Sequence, residues 1–552
     1  MAASPESASP LDRAGQPPAA GVSPATPSRT PSGLVSAAAL SATRVLSLVL
    51  GLAGGTLSAA YFGAGAAKDC LVVSQTIPTL IGTFLISGLY SLLMVSLAEI
   101  GPKEGVRGQL ALIWKIVVQV GAVLVLLTLV TVLFPRPIIA LIAPGFDAEK
   151  LDLAGRLLPL AMLSTVFTVS FAAFRALFNT RHQFVVPGLA YSIVGAATIV
   201  TLVLLTGRAG IFALALGPLF GAALSAVVLA AAATLLRREA PGAGRPAAPP
   251  PPPATARFRF WSDFIPMSIG ANFGQLNLAV DNAFASFLPT GSITQLGFAS
   301  VILSNAELLT IFSLAEVAFA RLTAAVQKGG TALEEELRLN LRSMLLLTAP
   351  ISAGCLVFGV PLSRLLFERG QFDAGATAGV ARILACFAPE MLFMGFFALF
   401  WRVLAARRRT RALVAISLGA IGLNSVLDYV LMRPFGSSGI ALATSGVTTL
   451  FAVLMGLQLR REGVRLIAPG DGRYVLCVAG AAAIMAATVW GWATACESLL
   501  DPQSETVRLV ETGGGLLLGA LVYAGVLHAF GVRMVAETLG RMSRSASGWW
   551  RG

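Results

Sequence analysis

Apolar runs long enough to cross a bilayer recur along this chain from Leu34 to Phe530, each closed by a short cluster of polar, glycine or basic residues. A helix needs about 20 apolar residues to span about 30 Å of hydrocarbon, and on that window the pattern predicts about fourteen membrane helices. They lie near 34–54, 72–97, 110–134, 153–174, 186–206, 211–235, 265–288, 296–320, 344–367, 380–404, 413–432, 440–459, 474–492 and 509–530. The expected fold is an all-α polytopic membrane protein.

A proline tract, Arg245-Pro-Ala-Ala-Pro-Pro-Pro-Pro-Pro-Pro-Ala254, separates six segments from the next six and reads as a semi-rigid spacer. The two sets repeat. Phe146-Asp-Ala148 recurs as Phe372-Asp-Ala374, Phe174-Arg-Ala-Leu177 as Trp401-Arg-Val-Leu404, and Gly210-Ile-Phe-Ala-Leu-Ala215 as Gly439-Ile-Ala-Leu-Ala-Thr444, at offsets of 226, 227 and 229 residues. An even number of crossings per repeat makes the halves parallel, an architecture of secondary transporters with a central site between lobes. The expected organisation is a disordered cytoplasmic tail (1–32), a six-helix lobe (33–237), a cytoplasmic linker (238–260), a second six-helix lobe (261–465), two further helices (466–535) and a cytoplasmic tail (536–552).

Composition sharpens this reading. Of 552 residues, 56% are hydrophobic and 12% charged, and the mean hydropathy of +0.79 excludes a soluble protein of this size. The net charge of +13 comes from bases grouped in short loops without interleaved aromatics, which argues against a nucleic-acid partner. Loops after even-numbered segments carry Lys103 and Arg107, Arg237 and Arg238, Arg321 and Lys328, the run Arg407-Arg-Arg-Thr-Arg411, and Arg460 and Arg461. Those after odd-numbered segments hold few bases, often beside acids. Positive loops stay inside, so both termini are expected in the cytoplasm. The Arg407 run is a topology signal first, with a phospholipid or pyrophosphate contact as its alternative. Five scattered cysteines and two histidines offer neither a disulfide framework nor a zinc site. No nucleotide-binding loop or catalytic triad is present, so a non-enzymatic transporter driven by an ion gradient or the membrane potential is expected.

Ionisable residues inside the membrane are functional candidates by default. Asn424 and Asp428 share one helix face, and Thr444 lies one turn beyond Ile440. With Asp281 they would offer hard oxygen donors to Na⁺ or carry H⁺ on a carboxylate; the alternative is that Asp428 lies near the membrane surface beside Arg433 and that Asp281 is merely hydrogen-bonded across helices. Arg44 lies inside segment one, Lys115 in segment three, Arg156 and Arg382 near the starts of segments four and ten, and Arg175 and Arg402 near the ends of those two. Arg175 and Arg402 read as snorkelling side chains. Arg44 either binds a phosphate group bidentately or is structural, and both readings stand open. Glu307, Glu316 and Glu390 are each a partner for an arginine or a coupling acid.

Several stretches carry a resemblance. Thr43-Arg44-Val-Leu46, Tyr61-Phe-Gly-Ala-Gly-Ala-Ala-Lys-Asp69, Ile142-Ala-Pro-Gly-Phe-Asp147, Phe284-Ala-Ser-Phe-Leu-Pro-Thr-Gly-Ser292, Leu366-Phe-Glu-Arg-Gly-Gln-Phe-Asp373 and Gly439-Ile-Ala-Leu-Ala-Thr-Ser445 resemble the MurJ (MviN-type) lipid II flippases of the multidrug/oligosaccharidyl-lipid/polysaccharide exporter superfamily. The resemblance covers nearly the whole chain after the tail. It implies a V-shaped pair of lobes in a bacterial cytoplasmic membrane, a cationic cavity for the pyrophosphate and sugars of a lipid-linked peptidoglycan precursor, and a groove for its polyprenyl tail along segments thirteen and fourteen. It further implies alternating access, cell-wall synthesis proteins as partners and a monomer. Asp281, Asn424, Asp428, Ile440 and Thr444 match the family's sodium site. Family members usually hold charges where this chain has Gly82, Thr83, Ser87 and Val301, and an arginine near Leu50. Arg44, Lys115, Arg156 and Arg382 are then the candidate substrate-binding cations. The alternatives are a flippase for another polyprenyl-linked saccharide, a drug/cation antiporter, and a transport-inactive envelope scaffold.

Overall fold

The apolar runs form helices in the computed structural model, which describes residues 31–236, 273–407, 409–500 and 504–532. The first half consists of α1 (Pro31–Phe62), α2 (Ala66–Leu133), α3 (Pro135–Ile142), α4 (Ala148–Thr180), α5 (Val185–Ala209) and α6 (Phe212–Leu236). The second consists of α7 (Phe273–Ala285), α8 (Ser292–Glu307), α9 (Ser313–Lys328), α10 (Gly330–Val357), α11 (Gly359–Phe367), α12 (Ala374–Cys386), α13 (Ala388–Ala406), α14 (Thr410–Phe435) and α15 (Ser437–Arg461). Two more helices follow, α16 (Asp471–Leu499) and α17 (Glu505–Ala529). The expected tail 1–32 lies outside the described residues up to 30, as do the linker 238–260, the first part of segment seven and the tail 536–552.

Twelve helical spans among the described residues are long and apolar enough to cross a membrane. One of them, α2, makes two crossings, because Gly105 takes φ 64° and ψ −160° and divides it into two arms. Glycine alone adopts that conformation without strain. With those arms and the short α7, the fourteen expected segments are accounted for. Segment one runs on to Phe62, past its expected end at 54. Segment ten is broken at Phe387, just before Pro389, because proline lacks an N–H and its ring crowds the preceding turn. Segment eight is continuous through a π-helical turn, Leu308–Phe312, between α8 and α9.

The repeat has a physical basis in its caps. Asp147 caps α4 by accepting from the Lys150 backbone N–H at 2.9 Å, and Asp373 caps α12 by accepting from Ala376 at 2.8 Å. A side-chain cap of this kind contributes about 1 kcal/mol. Gly65 precedes α2 as Gly291 precedes α8, and Gly210 (φ 56°, ψ −133°) ends α5 as Gly436 (φ 59°, ψ −137°) ends α14. All three pairs stand 226 residues apart. This corrects the third sequence match: Gly436, not Gly439, is the counterpart of Gly210. Gly439 is glycine for a different reason, since a Cβ there would run into the Leu431 carbonyl.

Within each half the helices pack on one another, and α16 and α17 pack on α10 and α11. The substantial contacts between halves are made by α1, α2 and α3 with α7, α8 and α11. Hydrogen bonds seal this end. The Gln371 backbone N–H donates to the Ala60 carbonyl at 2.9 Å, Gly145 N–H to Ser286 Oγ at 3.0 Å, and Lys150 Nζ to Thr290 Oγ1 at 2.8 Å. Asp69 accepts from Gly291 N–H (2.6 Å), Thr294 N–H (2.8 Å) and Thr294 Oγ1 (2.6 Å), so a carboxylate of the first half sits at the start of a helix of the second. Charge-assisted bonds at a helix N-terminus are among the stronger ones available to a protein. The backbones approach so closely that a Cβ on Gly291 or Gly370 would collide with the Ala64 or Ala60 carbonyl, and both glycines have positive φ.

Candidate functional site

Three helices of the second half converge on one buried polar cluster. α7 supplies Asp281, α14 supplies Asn424 and Asp428 from one face, and α15 supplies Thr444 and the Ile440 carbonyl. Asn424 sits between the acids: its Nδ2 donates to Asp281 Oδ1 at 2.8 Å and to Asp428 Oδ2 at 2.7 Å. Asp428 and Thr444 also lie within hydrogen-bonding reach of Asp281. Thr444 Oγ1 lies 3.2 Å from the Ile440 carbonyl, so its single proton serves either that carbonyl or Asp281. Asn424 and Asp428 have no exposed surface, and Asp281 is buried.

Donor supply and acceptor demand do not balance in this cluster. Asn424 Oδ1 and Asp428 Oδ1 are buried oxygens without a hydrogen-bond partner, and among the described residues no lysine or arginine pairs with either acid. Two carboxylates with unmet acceptors cost several kcal/mol in a membrane interior unless a positive charge joins them. A carboxylate pair, an amide oxygen, a hydroxyl and a carbonyl are hard donors, and they suit a small hard cation or a shared proton.

The cations expected to bind substrate do not converge. Arg44 on α1 and Lys115 on the second arm of α2 are exposed, with no partner among the described residues. Arg156 on α4 is exposed and ion-paired at 3.1 Å with Asp152, which also takes Arg136 at 3.0 Å. Arg382 on α12 is exposed, and among the described residues its Nε reaches only the Ala378 carbonyl of its own helix, at 3.4 Å. Arg402 likewise bonds its own helix, through the Ala398 carbonyl, whereas Arg175 lies over the Tyr90 ring at 4.8 Å. Arg407 and Arg409 both pair with Glu462. Glu307 and Glu390 are buried, each with one oxygen lacking a partner, and neither is ion-paired among the described residues.

Lys68 and Asp69 are not singled out by sequence reasoning. They stand beside the polar turn before α2, where a basic–acidic pair reads as an interfacial end, and only the tertiary fold shows Asp69 in the seal between halves. Lys68 turns the other way. Its Nζ donates to Ser58 Oγ at 2.6 Å beside a cavity of about 330 Å³ between α1, α2, α5 and α6.

A larger cavity, about 550 Å³ and lined almost wholly by apolar side chains, lies where α16 and α17 meet α8 and α10. α17 is held there by Arg364, which reaches Glu497 at 2.9 Å and the buried Glu511 at 3.4 Å. At the other end of α16, Asp471 accepts from Arg342 Nε at 2.8 Å.

Known proteins share this architecture. The chain is 24% identical over 506 residues to "Lipid II flippase MurJ" of Burkholderia cenocepacia, covering 89% of this chain and 96% of that protein. It is 26% identical over 482 residues to "Probable lipid II flippase MurJ" of a Synechocystis species, covering 81% and 85%. A solved structure, "Lipid II flippase MurJ, inward closed conformation", superposes with a TM-score of 0.72 at 21% identity over 90% of this chain and 99% of that one. A multidrug resistance MATE family transporter of the MOP superfamily in an inward-facing conformation shares the fold more distantly, with a TM-score of 0.58 at 13% identity over 75% and 94%. The family model described as "Lipid II flippase MurJ" matches residues 58–511, most of the membrane-embedded chain. By that match, this multi-pass membrane protein belongs to the lipid II flippase MurJ family.

Proposed function

We propose that this protein carries lipid II, the lipid-linked peptidoglycan precursor, across the bacterial cytoplasmic membrane by alternating access. The observation that carries the reading is the family match over residues 58–511, joined to a fold in which, among the described residues, the substantial contacts between the halves are those of α1–α3 with α7, α8 and α11. The bias of lysine and arginine toward the opposite loops makes the sealed end the outer one and puts both termini in the cytoplasm. In this state the headgroup enters from the cytoplasmic side. Release of the Asp69 bonds to Gly291 and Thr294 then opens the outer side.

A small cation at Asp281, Asn424, Asp428, Thr444 and the Ile440 carbonyl would supply the charge that this cluster lacks and would draw α7, α14 and α15 together. Asn424 then ties the two carboxylates together through its Nδ2 and leaves its Oδ1 as a further oxygen donor. The apolar cavity against α16 and α17 suits a polyprenyl tail, because it offers hydrocarbon surface continuous with the bilayer.

One observation favours a second reading, a flippase for another polyprenyl-linked saccharide. Gly82 is buried against Thr165, Thr83 Oγ1 donates to the Thr79 carbonyl of its own helix at 2.7 Å, and Val301 is exposed without charge. These positions bring no cation to the substrate. Depleting a host's own flippase and supplying this chain in trans separates the readings. Restored growth and precursor translocation are expected for lipid II. Failure of both, with the protein present in the membrane, overturns lipid II as substrate.

A further inference from the structure

The repeat puts the second half's acid cluster and the Lys68 cavity at the same place in their respective halves. At the 226-residue spacing fixed by the helix caps, Asp281 corresponds to Gly55, Asn424 to Thr198, Asp428 to Leu202, Ile440 to Leu214 and Thr444 to Pro218. Of these, Gly55, Thr198, Leu214 and Pro218 line the Lys68 cavity. Both carboxylates of the second half are therefore absent from the first. Conversely, Lys68 corresponds to Thr294, so the first half holds a cation where the second has a hydroxyl. One cleft is built twice, with opposite charge.

The Lys68 ammonium has three N–H donors. One goes to Ser58, and the cation also lies 5.8 Å from the centre of the Phe298 ring. No carboxylate lies within ion-pair distance among the described residues, since neighbouring Asp69 is committed to Gly291 and Thr294. Lys68 is half-buried, and the cavity beside it is walled by Ser47, Gln75, Ser192 and Thr198. Ser47 and Ser192 bond to each other at 2.9 Å, and the Gln75 amide makes no hydrogen bond among the described residues, leaving its two N–H groups for a guest. On α1 the spacing of Ser58, Gly55, Gly51 and Ser47 continues to Arg44, which places a second cation on the same face toward the opposite end of the helix.

We propose that this first-half cleft binds a diphosphate-class anion, with Lys68 as its charge partner and Gln75 as a donor. The proposal rests on the lipid II reading for its source, because the headgroup of a polyprenyl-linked precursor carries a pyrophosphate. Lysine acts as a point charge on phosphate, and about 330 Å³ leaves room for far more than a monatomic ion.

The test uses the purified full-length protein in nanodiscs and inorganic pyrophosphate as the probe, titrated at constant ionic strength by calorimetry. Saturable binding is expected, weakened about 10- to 100-fold by Lys68→Gln and largely kept by Lys68→Arg. Ser58→Asp gives the ammonium an internal carboxylate, and should abolish binding while leaving the thermal midpoint unchanged or raised. This second variant decides the matter where Lys68→Gln fails to fold. Absence of pyrophosphate binding to the native protein, or binding that survives both substitutions, overturns the proposal. Displacement of pyrophosphate by lipid II identifies the headgroup as source, whereas binding without displacement identifies a free diphosphate. Transport is read separately: a chain that binds pyrophosphate but fails to restore translocation sinks the flippase reading and leaves the anion site standing.

Discussion

The two halves of this protein repeat their caps, turns and helix order, yet their equivalent clefts differ in sign. The second-half cleft holds Asp281 and Asp428 bridged by Asn424, while the first-half cleft holds Lys68, with Gly55 and Leu202 at the acid positions. Backbone geometry is shared because it depends on glycines and capping aspartates that any transport chemistry can use. Charge is not shared, because a buried charge is tolerated only where a counter-charge arrives. A repeat therefore duplicates the container and leaves its contents free to diverge.

The largest effect should follow from removing an acid. Asp428→Asn is expected to abolish sodium-dependent thermal stabilisation of the purified protein, because a cation that binds only the folded form stabilises it by mass action. In sodium-free choline buffer the same variant should melt above the native protein, since two buried like charges become one. A variant that melts lower in both buffers would show that Asp428 is structural. Moving the acid across the repeat comes next. Gly55→Asp has space for its Cβ, with only a Phe367 ring carbon at 4.0 Å, and should weaken pyrophosphate binding by about 10-fold or more through a new pair with Lys68. Unchanged binding would break the correspondence between the clefts.

A smaller effect is expected at the seam. Asp69→Asn keeps one acceptor oxygen and turns its NH2 toward a donor, so the bond to Gly291 or those to Thr294 are lost outright at a cost of about 1–3 kcal/mol, and it should raise the reactivity of a cysteine at the buried Ser286 toward a membrane-impermeant thiol reagent added from outside. Equal labelling of the native and variant backgrounds would remove Asp69 from the gate. The smallest effect is predicted for Arg156→Ala. Its pair with Asp152 is exposed, so stability should change by less than about 1 kcal/mol and pyrophosphate affinity not at all. A marked loss of affinity would return Arg156 to the substrate site.

Much of the acid cluster is legible in the sequence. Asn424 and Asp428 lie four residues apart on a helix, and an acid such as Asp281 in an apolar run demands a partner, so spacing and solvent together single them out. The cationic candidates are harder to read. Arg44, Lys115, Arg156 and Arg382 announce their charge but not their direction, and the fold leaves each on a separate helix surface. Lys68 poses the reverse problem, because its sequence context is that of an interfacial residue while its side chain faces a cavity. The repeat is visible in three matches, yet its register is corrected at Gly436, because a left-handed backbone turn leaves the same sequence trace as a glycine required for close packing.

Sequence alone determined the solvent, the number of crossings, the twofold repeat and the family, since each is written in local hydropathy, caps and motifs that act over a few turns of helix. Tertiary structure decided which charges meet. Asp281 reaches Asn424 across 143 residues, and Asp69 reaches Thr294 across 225. Helical periodicity fixes a side chain's face only relative to its own axis; the neighbour on that face is set by how whole helices pack.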